Sequence, residues 1–67
     1  MAWVYDVYQH VSRPELRLVV RSGTKLPAMV PEASWRYVRE ERGISPIEAA
    51  EVLRSGFAIS KKRETQN

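Results

Sequence analysis

His10 is the only histidine of the chain, and there is no cysteine. If His10 acted as a general base, the nucleophile would have to be Ser12, Ser22, Thr24 or Ser34, with Asp6 to orient the ring. No nucleophile elbow or glycine-rich motif surrounds any of these residues. The plainer expectation is a half-exposed histidine beside a hairpin turn. Glu40–Glu41 and Glu48/Glu51 are the carboxylates that could be paired as acid and base. Such pairs need a cleft, and a chain of 67 residues leaves little room for one. With one histidine, no cysteine and no calcium-loop pattern, the ligand sets of structural or catalytic metals are lacking. Ser22-Gly23-Thr24-Lys25 is the nearest approach to a phosphate loop. It leads into Leu26-Pro27 and not into a helix, so it reads as an ordinary turn. The expectation is no catalytic residue, no cofactor, no metal and no enzyme.

Two binding chemistries remain. Tyr8, His10, Arg17 and Arg21 would share the non-core face of a hairpin, where an aromatic beside cations can stack bases and grip phosphates. Lys61, Lys62 and Arg63 would add phosphate contacts. The net charge of +3 favours polyanions weakly, since many small domains carry as much to stay soluble. The competing reading is that Asp6 neutralises Arg21 and Tyr8 packs on Val19. No RNP-type motif or helix-turn-helix spacing is present. Trp35 and Tyr37 are the candidate anchors for a protein interface. Their competing role is as core: Trp3 and Trp35 are both expected to be mostly buried, and Trp35→Ala would then cost about 3–5 kcal/mol.

These residues must be positioned by a domain at the lower end of the size range. It buries only about 60% of its unfolded surface and has a narrow stability margin. The absence of cysteine excludes disulfide scaffolds and suits a reducing compartment. Homodimerisation is then the remaining way to add stability. Hydrophobic residues at 43% and charged residues at 28% are globular values. No apolar run reaches the ~20 residues of a membrane span, and Met1–Asp6 has no signal-peptide character. The expected setting is the cytoplasm, with a bacterial or phage origin.

Residues 2–11 and 16–21 are rich in β-branched and aromatic residues and read as two strands of a hairpin. Pro14 presets the turn between them. A four-residue loop puts Val11 opposite Leu16 and Val7 opposite Val20. Trp3, Tyr5, Val7, Leu16, Leu18 and Val20 then share the core face. The other face shows Tyr8 opposite Val19, His10 opposite Arg17 and Asp6 opposite Arg21. A one-residue slip would invert this pattern. Residues 22–31 form a connection, with Leu26 and Met29 pinned to the core. Residues 32–42 fit a short helix or a strand. The helix is favoured by Pro31, Glu32 and i,i+4 pairs. The strand over 34–38, followed by a turn, is favoured by the sharing of a face by Trp35 and Tyr37.

Ser45-Pro46 with Glu48 is a capping box, and Gly56 suits a left-handed C-cap. A helix over 46–55 follows, with Ala49, Ala50, Val52 and Leu53 on its buried face, Ile44 and Ala49 as a staple, and Phe57 folding back on Val52. Residues 57–60 form a short strand with Phe57 and Ile59 inward. The tail from 61 to 67 is expected to be flexible and basic.

The hairpin, Gly23 followed by Leu26-Pro27, Trp35, and a helix ending in Gly56-Phe57-Ala58-Ile59 together resemble a loose type of small bacterial protein. The resemblance spans most of the chain and implies an α+β fold, with no binding or catalytic residues to carry over. The expectation is one α+β domain over residues 1–60: an antiparallel sheet of three or four strands with the 46–55 helix across one face. It is expected to act as an accessory or regulatory protein that binds another protein. Weak, sequence-tolerant nucleic-acid binding through the hairpin face is the alternative.

Overall fold

The computed structural model describes residues 3–61; Lys62 and Arg63 of the expected basic tail lie outside these residues. The fold is α+β. Strands β1 (Tyr5–His10), β2 (Leu16–Arg21), β3 (Trp35–Glu41) and β4 (Ala58–Lys61) form one antiparallel sheet in the order β3-β1-β2-β4. A helix, α1 (Pro46–Ser55), packs across β2 and β4.

Helix α1 begins where the capping box predicts. Ser45 Oγ accepts from the Glu48 backbone N–H, and the Glu48 carboxylate accepts from the Ser45 backbone N–H. It ends at Gly56, whose φ of 91° is a left-handed conformation that costs glycine nothing. In residues 32–42 the strand alternative holds, with shifted bounds. Glu32–Ser34 make one 3-10 turn, and the strand then runs through the charged stretch to Glu41 in place of the expected turn. The β1 ladder supplies the reason: Asp6 and Tyr5 pair with Glu40 and Glu41, so backbone pairing carries residues that side-chain pattern alone would release.

The hairpin register differs from expectation by one residue. Val7 faces Val19, Asp6 faces Val20 and Gln9 faces Arg17. The cause is local. Leu16 N–H closes a turn on the Arg13 carbonyl at 2.9 Å, and Val11 joins the loop as one extra residue. His10 Nδ1 accepts from the backbone N–H groups of Ser12 and Arg13, at 3.2 and 3.1 Å, and holds that longer loop. The slip exchanges the faces of β2. Leu18, Val19 and Val20 are all fully buried, so the strand is apolar on both sides and its pattern does not choose between the registers.

The sheet therefore has two cores. On the helix side, Tyr5, Val7, Val19 and Ala58 lie beneath Val52, with Trp3 and Ile44 packed at the margin. On the opposite side, Leu18 and Val20 are covered by Val30 from the connection, with Tyr8, Leu26, Trp35 and Phe57 around them. Several expected contacts change with this arrangement. Val30, not Met29, is the residue pinned by the connection, because the Val30 N–H bonds the Pro27 carbonyl and turns Met29 outward. Phe57 joins the loop-side core and not Val52. Ala58 points inward and Ile59 is half-exposed. Leu53 and Ala50 face solvent, since α1 covers only β2 and β4. Trp3 and Trp35 are half-buried, not enclosed. Trp3 precedes β1 and is stacked by Arg21, while Trp35 opens an edge strand.

Candidate functional site

The two faces hold their charges differently. On the helix side, Arg17 reaches from β2 to two carboxylates. Its Nε donates to Glu48 at 3.0 Å, and its Nη2 donates to Glu41 at 3.2 Å. Ser60 Oγ donates to Glu48 at 2.9 Å, and Arg39 Nε donates to Glu41 at 2.8 Å. Burial works to raise the Glu48 pKa, but the Ser60 hydroxyl, the charge of Arg17 and the Ser45 N–H outweigh it and leave the carboxyl below its ordinary range. The Arg39 hydrogen bond does most to lower Glu41, with Arg17 adding to it against burial. These carboxylates are held as ions by partners, which suits a structural clasp joining β2, β3, β4 and α1.

Among the sequence candidates, the structure separates the basic from the aromatic members. Tyr8 and His10 are on the loop side, whereas Arg17 pairs with Gln9 and Arg21 with Tyr5, on the helix side. Arg21 lies over the Trp3 ring, 4.1 Å from its centroid. Lys61 is exposed at the end of β4. The Tyr8, His10, Arg17 and Arg21 set thus does not converge on one surface. A pocket of about 260 Å³ near the hairpin, lined by Arg17, Arg39 and Gln9 among others, contains guanidiniums already committed to Glu41 and Glu48. His10 and Asp6 stand four positions apart on β1, about 13 Å by the rise of a strand, so Asp6 does not orient the ring. Among the described residues, no group of three histidine, aspartate or glutamate side chains is placed to hold a metal. No helix there is long and apolar enough to cross a membrane.

The loop side assembles a different set. Tyr8 and Tyr37 are cross-strand neighbours in edge-to-face contact, with centroids 5.7 Å apart. His10 and Trp35 repeat the arrangement one pair along, at 4.9 Å. Trp35 and Tyr37, the two interface candidates, thus share this face, and Tyr37 is 50% exposed. A groove of about 400 Å³ opens beside them. It is lined by His10, Leu16 and Trp35 from the sheet, Phe57 with Ile59, and Met29 to Pro31 from the connection. Met29 is 76% exposed at its rim.

Sequence reasoning missed the charge on this face. Asp6 was expected to face Arg21; it faces Val20 of β2 and, on its other side, Glu40 of β3. Like charges directly opposite one another destabilise a sheet. Among the described residues neither carboxylate has an ion-pair partner. Burial raises the Tyr8 pKa, and the charges of Asp6 and Glu32 add to it. Burial likewise raises that of Tyr37, with Asp6 and Glu40 adding. Three carboxylates therefore bear on one tyrosine pair. The hairpin loop length sets only the β2 neighbour of Asp6; its Glu40 neighbour comes from the long-range β1–β3 ladder, which has no local signature in the residues.

The sheet edges are poor sites for strand addition. Strand β3 has a bulge at Val38, where its register against β1 shifts, and carries Arg36, Arg39, Glu40 and Glu41. Strand β4 has four residues. Bulges, charges and short strands all blunt an edge. Comparison with known proteins gives no match to a family model, a curated protein or a solved structure.

Proposed function

We propose that this chain is a small accessory or regulatory protein that works by binding another protein, and that the loop side of its sheet is the docking surface. The observation that carries this reading is the groove bordered by Met29, Trp35, Phe57 and Ile59, with Met29 left 76% exposed at its rim. A domain this small has few apolar side chains to spend outside its core, and contiguous exposed apolar surface marks interaction sites. Tyr37 and Trp35 add rigid aromatic area of the kind that anchors protein interfaces. The protein acts in the reducing interior of the cell, consistent with its lack of cysteine. It has no catalytic role of its own and takes no cofactor.

Site-specific photo-crosslinking in cells that naturally produce the protein tests the reading. A crosslinker at Met29 should give one dominant protease-sensitive, nuclease-resistant adduct. The same crosslinker at Ile47, on the outer face of α1 and 78% exposed, should not give it. Introducing Ile59→Asp beside the crosslinker should abolish the adduct. A nuclease-sensitive adduct, strongest from Lys61, would replace the proposal by nucleic-acid binding. Equal adducts from Met29 and Ile47 would remove the groove from consideration.

A further inference from the structure

The loop side has a chemical polarity that narrows its partner. Along β1 it presents Asp6, Tyr8 and His10, and along β3 Glu40, Tyr37 and Trp35, each paired across the ladder. The apolar groove lies at the His10–Trp35 end, and the two facing carboxylates lie at the other. Tyr8 and Tyr37 sit between them and present aromatic faces flanked by negative charge. A cation placed there would gain both the ring quadrupoles and the carboxylates. It would also relieve the Asp6–Glu40 repulsion, which the free protein must bear.

We propose that the loop-side groove docks a basic polypeptide segment in extended form, with an apolar side chain seated among Leu16, Trp35 and Phe57 and a Lys or Arg over the Tyr8–Tyr37 pair, against Asp6 and Glu40. This proposal rests on the protein-docking reading and specifies its partner. The two ends of the surface are about 13 Å apart, the span of four residues of extended chain. The apolar anchor and the cation are therefore about four positions apart in the bound segment. Other occupants fit less well. A second copy docked through the same face would bring two uncompensated sets of Asp6, Glu32 and Glu40 carboxylates into one interface with no added cation. A nucleic acid or an acidic peptide would meet the same carboxylates.

The test is selection of a random-peptide display library on the full chain at low salt, followed by amide NMR titration with the enriched peptides. The expected result is enrichment of Lys or Arg about four positions from Leu, Ile, Met or Phe, by the strand spacing. Amide shifts should centre on Tyr8, His10, Trp35 and Tyr37. The double variant Asp6→Asn/Glu40→Gln should bind such a peptide about tenfold more weakly while melting no lower than the parent. Glu51→Gln, on α1, should bind as the parent does. If neutral or acidic peptides are enriched and shift the same residues, the basic-segment proposal falls while the docking surface stands. If the shifts centre on Ile47 and Leu53 of α1, both fall. Failure of the library to enrich any peptide also overturns the basic-segment proposal.

Discussion

The two faces of one four-stranded sheet solve the same packing problem by different means. The helix side closes its core with a capped helix and neutralises its charges within the fold, through Arg17, Glu41, Glu48 and Ser60. The loop side closes its core with Val30 and Phe57, leaves an open groove, and sets Asp6 against Glu40 with no compensating cation among the described residues. The charge rules are satisfied on the first and broken on the second. Broken rules that persist in a folded chain point to function, and for this reason the loop side is read as the working surface and the helix side as its scaffold.

The comparison can be broken most sharply in the loop-side core. Leu18→Ala removes a fully buried side chain and should cost about 2–5 kcal/mol, seen as a lower urea midpoint or as loss of the fold. Trp35→Ala should cost less than Leu18→Ala, because Trp35 is only half-buried. The reverse order would mean that the edge strand, not β2, carries the core.

Arg17→Ala tests the scaffold. It leaves Glu48 without its main charged partner in a largely covered position and should cost about 1–3 kcal/mol, measured by chemical denaturation. Stability unchanged by this substitution would reduce the clasp to a surface ion pair.

The same clasp sets an acid limit. Glu48 and Glu41 have folded pKa values below the ordinary 4.5, so the unfolded chain binds protons first as pH falls. Their contribution is present in full above 4.5 and is lost as pH falls through the lower folded values. Glu48→Gln should flatten that decline in a series of urea unfolding curves, whereas Glu40→Gln should not.

The smallest effects sharpen the loop side. Removing one charge of the facing pair, as in Asp6→Asn, should raise stability at neutral pH by about 0.5 kcal/mol. It should also lower the raised pKa values of Tyr8 and Tyr37, to which the charge of Asp6 contributes after burial, as read by ultraviolet titration of the tyrosines. A destabilised Asp6→Asn would show that the carboxylate has a structural partner and would undercut the proposed role of the pair.

Parts of this fold were legible in the residues themselves. Ser45, Pro46, Glu48 and Gly56 mark the two ends of α1 to the residue, because capping is a local chemistry that needs no tertiary partner. The hairpin, its Pro14 turn and the α+β class follow from composition and alternation for the same reason. Trp35 and Tyr37 share a face as the strand spacing required. The candidate surface was only half legible. The aromatic residues of Tyr8, His10, Trp35 and Tyr37 were visible, but their partition from Arg17 and Arg21 was not, since it turns on one residue of loop length.

By itself, then, the sequence determined the helix and its caps, the two hairpin strands, and the stock of aromatic and charged residues available for binding, all through interactions spanning a few positions. Tertiary structure decided the hairpin register, the run of β3 through Glu41, the exposure of Met29, and the confrontation of Asp6 with Glu40. The last two arise from a loop turn and long-range pairing; for the register, the physical reason is that β2 is apolar on both faces. Its pattern accepts either register, and only the His10-braced loop and the pairing of all four strands choose between them.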